Sequence, residues 1–91
     1  PFRKSSANNI SIVFQSDKTL GEEVDLNIYS VGLELQFANK KSIQSSYLKN
    51  SKKYCKIILD KSDIDFSTGV YIYVIKSGDN IYKGKLVIFN D

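Results

Sequence analysis

The chain has no histidine, a single cysteine and one proline in 91 residues. Without histidine, and with Cys55 alone, the usual zinc ligand sets cannot be assembled. Ser–His and Cys–His nucleophilic arrangements are excluded for the same reason. Cys55 has no partner for an intrachain disulfide. It alternates with Ile57 and Leu59, which puts all three on one face of a strand and makes the thiol a core residue. A single proline leaves little rigid linker. No apolar run is longer than Val70–Ile75, far too short to span a bilayer. The start of the chain lacks the basic, apolar, small-residue series of a signal peptide. It begins at Pro1 rather than Met, as expected of a piece of a larger protein.

What is present suits one small folded domain. Apolar residues make up 42% of the chain, a globular rather than a disordered composition. A chain of this length buries only about two-thirds of its unfolded surface, so the core must be efficient. The net charge is +3, from 13 basic and 10 acidic residues. That is short of the clustered excess of a nucleic-acid binder, and no nucleic-acid partner is expected.

Hydrophobic periodicity is two almost throughout. Residues 1–9 are polar and read as a lead-in, leaving 10–91 as the domain. Ile10, Ile12 and Phe14 mark a first strand, and Ser16–Gly21 is turn chemistry. Val24, Leu26 and Ile28 alternate with Asp25, Asn27 and Tyr29 in a half-buried strand. Leu33, Leu35 and Phe37 predict a third strand, closed by a turn at Asn39–Ser42. A weaker strand is expected over Ile43–Leu48, another over Lys53–Asp60, and a corner over Lys61–Thr68. Val70–Lys76 and Ile81–Phe89 form a closing hairpin. About seven short strands at this spacing predict an all-β antiparallel sandwich of immunoglobulin or fibronectin type III kind.

The hairpin is unusual because both faces of its first strand are apolar. Tyr71, Tyr73 and Ile75 share one face, and Val70, Ile72 and Val74 the other. Either the strand is central and its outer face is covered by neighbours, or that face is a shallow patch for a partner. Tyr71 follows a corner, where a sandwich tyrosine bonds back to upstream backbone.

The order of motifs carries a family resemblance. Glu23-Val24-Asp25-Leu26-Asn27-Ile28-Tyr29-Ser30, then Gly32 and Leu33-Glu34-Leu35, resembles a signature of the C-terminal sorting domains of the type IX secretion system. The related immunoglobulin-like domain of flagellar hook-capping proteins shares it. Ser67-Thr68-Gly69-Val70-Tyr71-Ile72-Tyr73 is similar to that family's small-x-glycine-valine-tyrosine strand. Lys76–Asn80 and Lys83-Gly84-Lys85-Leu86-Val87-Ile88 are similar to its last turn and strand. The chain departs from the pattern in having one residue fewer between Tyr29 and Gly32. It also ends Phe89-Asn90-Asp91, without a basic residue.

The resemblance implies a non-catalytic sorting and anchoring domain behind an N-terminal cargo, reaching the cell surface or medium by way of the periplasm. The partners it implies are the outer-membrane translocon and processing machinery, and surface lipopolysaccharide as the point of attachment for the cargo. The surface expected to be recognised is Gly69, Val70, Ile72, Lys83, Gly84 and Lys85. No cofactor, metal or catalytic residue is expected.

An alternative is a carbohydrate-binding or structural accessory module of a secreted enzyme. It requires exposed aromatics in a planar row, with Tyr29, Tyr47 and Tyr54 as the candidates. Carboxylate-pair glycosidase chemistry would need a deep cleft that a sandwich of this size seldom has. Asp60, Asp63 and Asp65 lack the further oxygen ligands of a calcium loop and read as corner chemistry. Lysines 40, 41, 49, 52, 53, 56 and 61 crowd the middle of the chain. They form either a solvated face that blocks edge-to-edge pairing or a surface for acidic groups.

Overall fold

A computed structural model describes residues 2–3, 9–16 and 23–90. Its strands are β1 (Phe2–Arg3), β2 (Asn9–Gln15), β3 (Glu23–Ser30), β4 (Leu35–Ser42), β5 (Ser45–Lys49), β6 (Lys52–Asp60), β7 (Gly69–Ser77) and β8 (Asn80–Phe89). A single 3-10 turn at Lys61–Asp63 is the only helical element among the described residues. The strands make two sheets, ordered β1-β8-β7-β3-β4 and β2-β6-β5. All pairings are antiparallel except β1 with β8.

The inward residues of the two sheets interdigitate as one apolar layer. Ile12 and Phe14, Val24, Leu26 and Ile28, Cys55, Ile57 and Leu59, Tyr71 and Ile75, and Leu86 and Ile88 are all buried. Each set follows the period of two that a half-buried strand requires. The chain is a β-sandwich. In immunoglobulin lettering β3, β7 and β8 are C, F and G, and β2, β6 and β5 are B, E and D. An antibody domain would add a B–F disulfide and a buried tryptophan. Here the chain has no tryptophan, and its lone Cys55 is buried on β6 as a free thiol. Apolar packing takes over, helped by contacts that cross between sheets. Tyr82 on β8 packs on Phe14 at 5.0 Å, and its hydroxyl meets that of buried Ser16 at 2.6 Å.

The corner before β7 is tied down as its sequence suggests. Tyr71 Oη donates to the Ser67 carbonyl at 2.5 Å, and its ring packs on buried Phe66. Asn90 closes the corner from the other side, donating from its backbone to Thr68 Oγ1 and from its amide to the Phe66 carbonyl. Tyr71→Phe keeps the ring and loses the hydroxyl bond. It is expected to lower stability by about 0.5–1.5 kcal/mol, seen as a lower urea midpoint with an unchanged slope.

The strand expected over Leu33–Ala38 is displaced. β4 begins at Leu35 and continues through Asn39, Lys40, Lys41 and Ser42, which had the composition of a turn. These polar residues pair with Glu23–Leu26 of β3. An edge strand tolerates them because only one of its sides is hydrogen-bonded. Of the three apolar residues, only Phe37 packs on the core. Leu33 has a left-handed φ of 67° in the β3–β4 turn, and it is 71% exposed. A register shift after Ile28 sets Leu35 opposite Tyr29 rather than in the core. The weak strand begins at Ser45, and all five of its residues are exposed. Part of the polar lead-in also takes a place in the fold, since Phe2–Arg3 pairs with Ile88–Phe89. The rest of that lead-in other than Asn9, the turn over Asp17–Gly21, and Asp91 lie outside the described residues.

Candidate docking surface

The outer face of the larger sheet is built by β3, β7 and β8. Register puts Val70 beside Val87, Ile72 between Tyr29 and Lys85, and Val74 between Asn27 and Lys83. Lys76 pairs with Ile81. Alternation sends Tyr71 and Ile75 inward to the core and these residues outward. The result is an apolar strip with a lysine border. Val70 is 44% exposed, Ile81 55% and Val87 37%. Tyr29, Leu33, Ile72 and Val74 line an open groove of about 560 Å³, with Lys76 and Lys83 at its side. Further toward β4 the same face turns polar, lined by Asp25, Asn27, Asn39 and Lys40.

The expected recognition residues therefore divide. Val70, Ile72, Lys83 and Lys85 lie on the outer face. Gly69 and Gly84 fall on inward registers, opposite Ile88 and Tyr73. Gly84 leaves room for a neighbour, because a Cβ there would run into the Tyr73 ring and hydroxyl. Toward a partner the two glycines offer backbone only. Leu33, Lys76, Ile81 and Val87 complete the surface and were missed. Period two already set Ile81 and Val87 in phase with Lys83 and Lys85, so the signal was available. Leu33 was hidden because it was assigned to a strand.

Tyr73 packs at the edge of the core, and burial raises its phenol above the ordinary 10.0. The folded state thus holds this proton more tightly than the unfolded chain does. Its contribution is intact below pH 10 and is lost as pH rises through the raised value. Wild type is expected to lose more stability than Tyr73→Phe between about pH 8 and about pH 10.5. Urea midpoints of the two proteins at both pH values check this, and the shared lysine titration cancels in the difference.

The three tyrosines of the stacking row do not form one row. Tyr29 lies on the outer face of the larger sheet. Tyr47 and Tyr54 are a cross-strand pair on the smaller sheet, stacked at 5.6 Å with planes 20° apart. The sandwich puts its two outer faces on opposite sides, so no flat ligand reaches all three. Of the corner aspartates, Asp63 is used structurally. Asp63 accepts from the Asp60 backbone at 3.1 Å and from Lys41 Nζ at 2.7 Å, in a largely shielded pair. Among the described residues no group of three acidic or cysteine side chains is placed to hold a metal ion. Lys40 reaches Asp25 only at 3.8 Å on the open surface, where such a pair contributes little.

Comparison with family models, curated proteins and solved structures found no match to this chain.

Proposed function

We propose that this chain is a non-catalytic docking domain that sorts or anchors the larger protein to which it belongs. The observation that carries the proposal is the lysine-bordered apolar strip of Val70, Ile72, Val74, Ile81 and Val87 on the outer face of the larger sheet. Scattered surface apolars are ordinary, whereas a contiguous apolar face with a polar border is the form of a protein-binding patch. Fixed β-strands present it, so little ordering entropy opposes binding. The border fits a partner whose apolar contact region is ringed by carboxylates.

The motif order that resembles type IX sorting domains supports a specific partner, the outer-membrane secretion translocon. On this proposal the protein reaches the surface or medium through the periplasm. The test is translocon-dependent export. Residues 1–91 are fused behind a periplasmic fluorescent reporter in a bacterium with a type IX system, with the translocon present or deleted. Reporter at the surface or in the medium only when the translocon is present is the expected result. A folded fusion retained in the periplasm of both strains would overturn the sorting proposal.

A further inference from the structure

The opposite side of the sandwich carries a different chemistry. On the outward registers of β5 and β6, Lys49 faces Lys52, Tyr47 faces Tyr54, and Ser45 faces Lys56. Gln15 and Val13 of β2 extend the same rungs, beside Tyr54 and Lys56. The face is thus a ladder of basic, aromatic and basic tiers. No acidic residue occurs between Glu34 and Asp60 in the sequence. Asp25 and Asp63 are turned to Lys40 and Lys41. Among the described residues, no carboxylate lies within ion-pairing distance of Lys49, Lys52 or Lys56.

Protection of a sheet edge does not explain this arrangement. Lysines that guard an edge belong on the edge strand, and Lys49 on β5 satisfies that need. Lys52 and Lys56 belong to β6, the middle strand of its sheet, where there is no edge to guard. Like charges directly opposite one another, as at Lys49 and Lys52, are unfavourable in the free protein. A bound anion relieves them.

We infer that this face binds a linear acidic polysaccharide. Along β6 the two basic tiers stand about 13 Å apart, four residues at about 3.3 Å each. The tier between them is uncharged. A nucleic-acid strand carries a phosphate at every nucleotide, so its middle charges would rest over the tyrosines without a cation. The tyrosine rings are also stacked on each other and leave no slot for a base. A polysaccharide with spaced carboxylates can set them on the lysine tiers and rest an uncharged sugar face against Tyr47, which is 45% exposed. Ser45 and Gln15 offer hydrogen bonds to its hydroxyls. This site lies on the face opposite the docking strip and does not depend on it.

The test is affinity electrophoresis of the 91-residue chain through gels containing hyaluronan, whose carboxylates fall on alternate sugars, dextran or no polymer, with oligothymidylate binding measured alongside. Hyaluronan is expected to retard the protein and dextran is not. The triple substitution Lys49→Gln, Lys52→Gln, Lys56→Gln should weaken binding at least about tenfold, while the corresponding triple change to Arg keeps it. Tyr47→Ala should also weaken it, and Lys83→Gln with Lys85→Gln, on the other face, should leave it unchanged. Circular dichroism checks that each variant is folded. No retardation by hyaluronan, equal retardation of the Gln triple variant, or tighter binding to oligothymidylate would each overturn the inference.

Discussion

Ile28→Ala is expected to destabilise the domain by about 2–5 kcal/mol. Ile28 is fully buried. It lies on β3, which is hydrogen-bonded on both sides, with Phe37 of β4 and Tyr73 of β7 as its partners. Truncation removes its apolar contacts and leaves a void that both neighbouring strands would have to move to fill. Strands held on two sides relax poorly, so the upper half of the range is expected. Domains of this kind have only about 5–15 kcal/mol of stability in all. No inter-sheet disulfide compensates. The melting temperature should fall by about 4–8 °C for each kcal/mol lost. Thermal unfolding followed by circular dichroism measures it. A loss no larger than that of an exposed site such as Val13→Ala would show that β3 is not the centre of the core.

Ile72→Glu is expected to abolish export of a fused reporter while the domain stays folded. Ile72 projects outward between Tyr29 and Lys85, so the new carboxylate would face a lysine across the strand pair, an arrangement that a sheet tolerates. In the bound state the same carboxylate would be buried against the partner's apolar contact, at a cost of several kcal/mol unless paired. That corresponds to a loss of at least about a hundredfold in affinity. Reversing Lys83 and Lys85 to Glu should give a smaller, salt-sensitive loss, because border charges act mainly on the rate of encounter. Unchanged export of a folded Ile72→Glu fusion would remove the strip from the mechanism.

Much of the fold was legible because its signal is local. Val24, Leu26 and Ile28, and likewise Cys55, Ile57 and Leu59, announce an inward face by alternation alone, and each set is buried. Tyr71 announced its corner bond by its place just after Lys61–Thr68. β4 was harder. Its polar half, Asn39–Ser42, has turn composition and is held in a strand only by pairing with β3, a tertiary effect that composition does not carry. Leu35 left the core through a register shift, which no pattern in the sequence marks. The candidate surface was legible in part for the same reasons. Alternation already separated Gly84 from Lys83 and Lys85. Nothing local could separate Tyr29 from Tyr47 and Tyr54, because which sheet each strand joins is decided by topology.

The docking claim is most directly tested by site-specific photocrosslinking in cells exporting the reporter fusion. A photoreactive amino acid is placed at position 72, on the proposed strip, or at position 13, on the opposite face. Crosslinks to a translocon component from position 72 and none from position 13 are expected. Crosslinks from position 13 alone, or none from either position during active export, would contradict the assignment of this face.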